Sequence, residues 1–426
     1  MRFIIKIILM SLFALIAASA FSQEYDFDIP EQEDAKIEFN GNLDAKWGLL
    51  NTRKSSPFFG LQFYDISEKD DYLSQYRLDF YLDGSYRYKQ VGFFMKTFYQ
   101  YAKEESLSPS FFELYGSLNF SPRLSMSIGK RRFNWGKGYA FNPVGYVNAE
   151  KDPENPDLAL AGKTSIYFSY NRSFNSDVLQ NFSIGAILLP PEAEMNDKFA
   201  SAEKIGGAIK LYFLLKNIDI DMMAAFQKDE PQRLGLDFST NLWENLEIHA
   251  EFSYAQNEMK YLIVDDLISQ HKMDGGSYLL GLRYLNRLNT TLIAEYYHNN
   301  SGLSKNEFAS YLNYLENSLE SNSSERINSA KSNMSTFFHS KTLMQNYLYL
   351  RLMQPEPFSW LYFSISIFSI YNLADNSFLI SPQLNYKPYT NFEVLLWPFL
   401  FFSDENTEYG SKQFSKKIEV WMRFYF

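Results

Sequence analysis

From residue 36 onwards, apolar and polar side chains alternate along much of this chain. The run YRLDFYLD at residues 76–83 and the run LEIHAEFSY at residues 246–254 are typical. Successive side chains of a β-strand point to opposite sides, so each run predicts a strand with one apolar and one polar face. The alternation therefore predicts an all-β protein whose strands separate an apolar environment from an aqueous one.

The composition favours a membrane barrel over a soluble β-protein. Aromatic residues make up 18% of the 426 residues, with 39 Phe and 31 Tyr, while the mean hydropathy is only −0.30. A transmembrane β-barrel places apolar residues against lipid, polar residues in its lumen and aromatic rings at both interfaces. The chain has no cysteine, which excludes disulfides and thiolate metal sites, and its net charge of −10 argues against a nucleic-acid partner.

The N-terminal residues predict export. Residues 1–22 combine an early positive charge, an apolar run and small residues, as a secretory signal peptide does. Residues 23–35 form a predicted acidic periplasmic tail, and residues 36–426 form the predicted outer-membrane β-barrel. The longest other apolar run, residues 360–371, is too short for a spanning helix and is interrupted by serines.

The connections between the predicted strands divide into two kinds. Hand counting indicates about 18 strands, with short turns after even-numbered strands and long polar segments after odd-numbered ones, as in barrels with short periplasmic turns and long outer loops. The long segments are predicted at residues 53–71, 138–163, 191–204, 262–275, 302–343 and 403–413.

One long segment carries a helical pattern. Ser304 and Glu307 have the spacing of a capping box. The apolar residues that follow, from Phe308 to Leu319, recur at helical spacing. We therefore predict a helix of about four turns in an outer loop, which either covers the outer mouth or folds into the lumen.

The last strand alternates up to the final residue of the sequence. Phe424 and Phe426 share its apolar face. An alternating last strand with a terminal aromatic residue resembles the signal that the barrel-assembly machinery reads. We expect this machinery and outer-membrane lipid to be partners of the chain.

A distinctive motif lies at residues 129–147, GKRRFNWGKGYAFNPVGYV, between a strand and a long loop. Its pattern resembles that of porin-like outer-membrane barrels related to the alginate-export family. The segments YNLADNS at residues 371–377 and TEYG at residues 407–410 resemble elements of the same families. The resemblance implies a barrel of similar size in which basic residues line a path for anions.

The motif concentrates positive charge in an acidic protein. Charged side chains on the lipid face of a barrel are costly, so most of these cations should face the lumen or the rim, where cationic rings select anions. The alternative is that they pair with luminal carboxylates such as Asp79, Asp83 or Glu113. Strict alternation places Lys130 on the side of Ile128, which predicts a β-bulge there. The candidate solute path consists of Lys130, Arg131, Arg132, Lys137, Trp135, Arg77, Arg233 and Arg283.

Two features of the loop and lumen leave alternatives open. The loop after the fifth strand either folds inward and narrows the pore or lies on the surface. The other predicted luminal charges have both signs, which indicates a hydrated interior of modest selectivity. They are Glu38, Asp44, Lys46, Lys96, Lys210, Asp237, Glu295, Arg351, Glu393 and Arg423.

An enzymatic reading finds little support. His298 and Ser301 loosely resemble the His-x-Ser arrangement of outer-membrane phospholipases, but they are three residues apart, whereas strand residues on one face are two apart. We predict no catalytic residues, no metal and no cofactor.

The sequence therefore predicts a porin-like channel for diffusion or export of a polar, anionic solute, either a small molecule or a polysaccharide. The alternative function is a non-conducting barrel that binds or assembles surface polysaccharide, or that serves as an accessory subunit of an outer-membrane complex.

Overall fold

The structure is a computed structural model. It describes residues 35–65, 70–102, 105–190, 205–227, 230–321, 323–337 and 341–426. The predicted signal peptide, and the predicted acidic tail except its last residue, lie outside the described residues.

Eighteen strands in this part of the chain form one antiparallel sheet. Each strand pairs with its neighbours in sequence, and β1 also pairs with β18, which closes the sheet into a barrel. The predicted all-β barrel of about 18 strands is confirmed. The strands are β1 Lys36–Thr52, β2 Tyr72–Tyr88, β3 Val91–Ala102, β4 Glu105–Ser121, β5 Leu124–Arg131, β6 Lys163–Ser173, β7 Leu179–Leu189, β8 Gly206–Leu215, β9 Ile218–Gln227, β10 Gln232–Trp243, β11 Leu246–Val264, β12 Leu267–Leu285, β13 Thr291–His298, β14 Asn346–Pro355, β15 Phe363–Asn372, β16 Phe378–Tyr389, β17 Phe392–Phe402 and β18 Phe414–Tyr425.

The alternation in the sequence becomes the two faces of the wall. In β2, Tyr76 and Leu78 are 58% and 44% exposed on the outside, while Asp79 and Tyr81, which follow on the other face, are buried inside. Large apolar side chains are exposed in the same way all around the barrel. Such a surface is stable against acyl chains and not against water.

The seam between the first and last strands depends on one glycine. Gly41 in β1 exchanges backbone hydrogen bonds with Phe426, at 3.0 and 3.1 Å. A Cβ at Gly41 would lie 2.6 Å from the Phe426 ring, which also stacks on Phe80. The terminal aromatic ring therefore has a packing role in the seam. Phe424 is half-exposed on the outer face and packs against Phe392.

Over the described residues, the two ends of the barrel differ as predicted, and the predicted outer loop 191–204 lies outside these residues. The turns after even-numbered strands are short, and the longest, residues 356–362, contains the 3-10 helix Pro357–Ser359. The long connections 53–71, 132–162, 299–345 and 403–413 lie at the opposite end.

One predicted outer loop is wrong. Residues 262–275 belong to β11 and β12, which continue as a long hairpin with a turn of only two residues, Asp265 and Asp266. Both residues of this turn have positive φ angles. Apolar residues of the hairpin, such as Leu262, Ile263 and Ile268, pack against the core of the helices at the outer end, which is why they do not alternate as the wall residues do.

Three helices form a cap at the outer end, namely α1 Pro57–Gln62, α2 Lys305–Glu320 and α3 Ser324–Phe337. The predicted capping box at the start of α2 is present, since Ser304 and Glu307 bond to each other's backbone N–H groups. Helices α1 and α3 were not predicted. None of the described helices is both long and apolar enough to cross a bilayer.

Candidate constriction of the barrel lumen

The long connection between β5 and β6, residues 132–162, folds into the lumen, and we call it the inserted loop. The Phe141 ring stacks on Tyr297 of β13 at 4.8 Å between centroids. The Tyr146 hydroxyl donates a hydrogen bond to Ser253 of β11 at 2.8 Å. Trp135 is buried. Of the two alternatives from the sequence, the inward one describes the structure.

Local backbone geometry explains the path of the inserted loop. Gly136 has a φ of +92°, and a Cβ there would collide with the Asn142 side chain and lie 2.7 Å from Glu251 Oε1. The amides of Asn142 and Asn148 both donate to the Trp135 carbonyl oxygen. The WGKG and FNP segments of the motif therefore form one compact turn whose backbone approaches the wall closely.

Glu251 on β11 is a main attachment point of the inserted loop. Its Oε1 accepts hydrogen bonds from the backbone N–H groups of Lys137 and Gly138, both at 2.6 Å. Its Oε2 accepts a third from Val144 at 3.3 Å. The Glu251 side chain is buried, so these N–H groups replace the water that the carboxylate loses.

Glu295 on β13 holds the next residues of the loop. Its two oxygens accept hydrogen bonds from the backbone N–H groups of Tyr139 and Ala140, the latter at 2.8 Å. The His249 ring lies 3.0 Å from Glu295 Oε1. The fully buried Glu295 thus bonds the loop on one side and a wall side chain on the other.

The second half of the inserted loop is held by ion pairs. Glu154 pairs with Lys412 of the outer loop 403–413 at 2.6 Å, and Asp157 pairs with Arg351 of β14 at 3.0 Å. Burial raises the pKa of Glu154, but the neighbouring Lys412 outweighs it and holds that pKa below its usual value. Lys151 donates to the carbonyl oxygens of Gly138 and Tyr139 and so ties the two halves together.

Three residues of the predicted solute path are paired with carboxylates. Lys137 lies 3.1 Å from Asp221 Oδ2. Arg77 lies 3.1 Å from Asp79, and Arg233 lies 3.2 Å from Glu258. Each of these three cations therefore has a carboxylate partner on the wall.

The other basic residues of the motif are dispersed. The Arg131 guanidinium lies over the Tyr167 ring at 4.8 Å and donates to Ser127. Arg132 is exposed, and its backbone N–H donates to Glu113 at 3.1 Å. Lys130 pairs in register with Leu114, whose side chain is exposed on the outer face, so Lys130 shares that face at the end of β5.

The predicted β-bulge at Lys130 is wrong. The pairing of β5 with β6 continues without a shift through this position. The irregularity lies instead in β4, at Phe112, between the pairs Lys96–Glu113 and Thr97–Phe111. Strict alternation in β5 is therefore kept, and it places Lys130 outward.

The remaining two residues of the predicted solute path are Arg283, on the wall, and Trp135, in the inserted loop. Arg283 of β12 is in register with Glu247 of β11. Trp135 is buried between the loop and the wall, where its ring meets Tyr146 edge-on. Trp135 therefore packs the inserted loop rather than facing an aqueous path.

The inserted loop borders two chambers in the lumen. The outer chamber has a volume of about 670 Å³ and is lined by loop residues 140–151, and the inner chamber, of about 510 Å³, is lined by loop residues 155–159. The charged residues of the outer chamber are balanced, namely Lys151, Lys163, Arg233, Glu150, Glu230 and Glu258. Those of the inner chamber are mostly basic, namely Lys46, Lys96, Arg351, Arg423, Asp157 and Glu393.

Two of the inner cations, Arg423 and Lys46, have acidic partners that lie behind them. Arg423 binds Asp44 with two hydrogen bonds, at 2.7 and 2.9 Å. Lys46 binds Asp79 at 2.7 Å. Asp44 and Asp79 are fully buried, so the basic groups border the chamber while the carboxylates stay inside the wall.

The two shorter motifs found in the sequence meet at the outer rim. Glu408 accepts hydrogen bonds from the Tyr347 hydroxyl at 2.8 Å and the Asn372 amide at 2.9 Å. The backbone N–H of Glu408 donates to Asp375 at 2.7 Å. Burial raises the pKa of Glu408 to about 7. The cluster joins the outer loop 403–413 to the end of β15.

His298 and Ser301 have separate partners. The His298 ring stacks on Tyr278 and lies 2.8 Å from Asn346, while the Ser301 hydroxyl donates to Asn299. These contacts are structural and do not form a nucleophile–base pair.

The comparisons with known proteins concern the fold. No family model and no curated protein matches the chain. OprD of Pseudomonas aeruginosa is 8% identical, covers 94% of this chain and 99% of its own, and has a TM-score of 0.50. OccK2 (OpdF) of the same organism, solved in complex with glucuronate, is 10% identical, with coverages of 92% and 98% and a TM-score of 0.53. OccD3 (OpdP) is 10% identical, with coverages of 91% and 91% and a TM-score of 0.51.

The fold is that of a porin-like outer-membrane barrel. At these identities the likeness concerns architecture alone. The relation to the alginate-export family stays a prediction.

The predicted solute path does not include Glu251 and Glu295, the two residues that hold the first half of the inserted loop. Glu295 was predicted to be luminal, but without a partner, and Glu251 appeared only as one polar position of an alternating strand. Alternation was the available signal, since it places a carboxylate on the luminal face where it needs a donor.

Proposed function

We propose that this chain is a channel of the bacterial outer membrane that passes a small, polar, anionic solute through its lumen. The observation that carries the proposal is the inner chamber, which four basic and two acidic side chains border. Cations at the surface of a narrow aqueous path favour anions. The glucuronate bound to OccK2 supports the same solute class, because that barrel has the same architecture.

The proposal includes the route of the protein to the membrane. The apolar outer face supports contact with outer-membrane lipid, and residues 1–22 support export by a signal peptide. Recognition of Phe424 and Phe426 by the barrel-assembly machinery, and a relation to alginate-export barrels whose cargo is an anionic polysaccharide, are further parts of the proposal that await experiments.

Planar-bilayer recordings of the refolded barrel test the channel. We expect stepwise conductance and, under a KCl gradient, a reversal potential that favours chloride. The Lys96→Gln variant should shift this potential towards potassium, because Lys96 borders the inner chamber beside Asp83. The control is Lys272→Gln, which removes the same charge from an exposed position on the β11–β12 hairpin.

The outcomes are separable. A reversal potential that favours potassium in the unmodified barrel would contradict the anionic solute while leaving the channel intact. The double variant Arg131→Gln, Arg132→Gln tests the path predicted from the sequence: a shift as large as that of Lys96→Gln would support a role for these residues, and an unchanged potential would exclude them.

A second candidate function is a non-conducting barrel that binds surface polysaccharide. The outer cap favours it, because α1, α2 and α3 share a buried apolar core with the inserted loop, through residues such as Phe58, Tyr311, Phe337 and Phe141. A core of this kind is expected for a fixed cover rather than a mobile one.

Removal of α2 and α3 from the cap distinguishes the two candidates. Leu303 and Leu343 are joined by a backbone hydrogen bond of 2.9 Å, so a short glycine linker can replace the residues between them. A wild-type barrel without conductance that becomes conducting after this deletion would support the second candidate. Conductance in both proteins would support the channel.

A further inference from the structure

The contacts of the inserted loop with the wall have an unusual chemistry. Five backbone N–H groups of the loop, from residues 137 to 144, donate to only two wall carboxylates, Glu251 and Glu295. Successive N–H groups that converge on one anion form a nest, a common anion-binding feature of protein backbones. Here the anions belong to the barrel itself.

Both carboxylates are almost completely buried, at 2% and 0% exposure. A buried carboxylate is costly unless hydrogen bonds replace its hydration. The loop therefore stabilises the two wall residues as much as the wall residues stabilise the loop. Withdrawal of the loop would leave both carboxylates in need of water.

The bonds of this half of the loop to the two carboxylates do not depend on its side chains. The donors are backbone groups, and a Cβ at Gly138 would collide with the Phe141 carbonyl oxygen and would lie 2.8 Å from Leu279 and 3.2 Å from Glu251 Oε1. The positions of Glu251 and Glu295 on the rigid wall thus decide how far the loop reaches across the lumen.

We propose that Glu251 and Glu295 are positioning residues that set the width of the constriction by acting as the internal anions of the loop's backbone nest. This inference rests on the proposed channel function, because the width of the constriction affects solute passage only in a conducting barrel. It goes beyond that function by assigning control of the width to two wall residues that have no role as solute ligands.

The first experiment reads loop position directly. The chain contains no cysteine, and Ala140, which is fully buried, becomes the reporter as Ala140→Cys. We expect slow maleimide labelling in this background and labelling about tenfold faster for each charge-assisted hydrogen bond lost in Glu251→Gln or Glu295→Gln. The matched control is Glu247→Gln, on the same strand and the same face as Glu251 but without a bond to the loop.

The second experiment tests the nest itself by chemical rescue. Glu251→Ala removes the carboxylate and should raise single-channel conductance about twofold or more, since loop residues leave the lumen. Added acetate should enter the vacated position and restore both slow labelling and low conductance, whereas chloride at equal ionic strength should not.

The outcomes separate the two proposals. The Glu251→Gln and Glu295→Gln barrels are first shown to be folded by their heat-modifiable migration on gels. Unchanged maleimide labelling of Ala140→Cys in these barrels would overturn the positioning role, even if the channel conducts. Faster labelling that acetate reverses would support it even if the wild-type barrel proves non-conducting, in which case only the channel function fails. If Glu251→Ala does not fold, the labelling of Glu295→Gln alone decides.

Discussion

The two halves of the inserted loop are held in different ways. Residues 132–148 bond through their backbone to wall carboxylates, and residues 149–162 bond through charged side chains to Lys412 and Arg351. Backbone hydrogen bonds to a buried carboxylate are insensitive to salt and demand an exact chain path. Ion pairs with partly exposed groups tolerate small shifts and are weakened by salt. The first half should therefore be the rigid part of the constriction and the second half the adjustable part.

The largest expected effect concerns the first half. Gly136→Ala places a Cβ at a φ of +92° and against Asn142 and Glu251, so it should destabilise this half by about 3 kcal/mol. Hydrogen exchange of residues 133–148, measured in detergent micelles, should accelerate about 100-fold. Gly48→Ala on β1, where an added Cβ would make only ordinary van der Waals contacts at 3.8 Å or more, is the control. Equal acceleration in residues 149–162 would show that the halves are one unit.

A smaller effect, dependent on pH, is expected where the outer loop 403–413 supports the second half. Burial raises the pKa of Glu408 to about 7 from the 4.5 of a solvated glutamate. A raised carboxyl pKa means that the stability contribution is fully present below pH 4.5 and is lost as pH rises through 7.

Hydrogen exchange of residues 403–413, corrected for the intrinsic dependence of exchange on pH, should therefore be slower at pH 5 than at pH 8, by on the order of 100-fold. Glu408→Gln should remove most of this difference, because its amide does not titrate. Equal protection at both pH values in the unmodified protein would contradict the assignment.

A weaker effect is expected at the ion pair between Glu154 and Lys412. The side chains of Glu154 and Lys412 are 25% and 31% exposed, so Glu154→Gln should destabilise the second half by about 1 kcal/mol. The difference between the variant and the unmodified protein should shrink at 1 M salt. Residues 133–148 should keep their protection at every salt concentration, and a salt-dependent loss there would erase the distinction between the halves.

The smallest effect is expected in the cap. Ser304→Ala removes the N-cap of α2 and should cost about 1 kcal/mol or less. Exchange should accelerate in the first turn of α2 only, with α3 as the internal control. Acceleration in residues 133–148 would indicate that the cap, in addition to the wall carboxylates, determines the position of the loop.

The sequence by itself determined the wall. Alternation places Tyr76 and Leu78 outside and Asp79 inside without reference to any distant residue, because the two-residue period of a strand is a local property. The start of α2 was equally predictable, since the Ser304 and Glu307 bonds span one turn. Where strands extend beyond the wall, as at residues 262–275, the same signal failed because Leu262, Ile263 and Ile268 pack against the core of the cap instead.

The tertiary structure alone decided the constriction. Gly138 and Glu251 are 113 residues apart, and nothing in their local sequences links them. Closure of the barrel places β11 opposite the end of β5, and burial then requires each luminal carboxylate to find a donor. The pairing of Lys137 with Asp221 follows from the same closure. A residue's face is a local property, whereas its partner depends on which strands the closed sheet brings across the lumen.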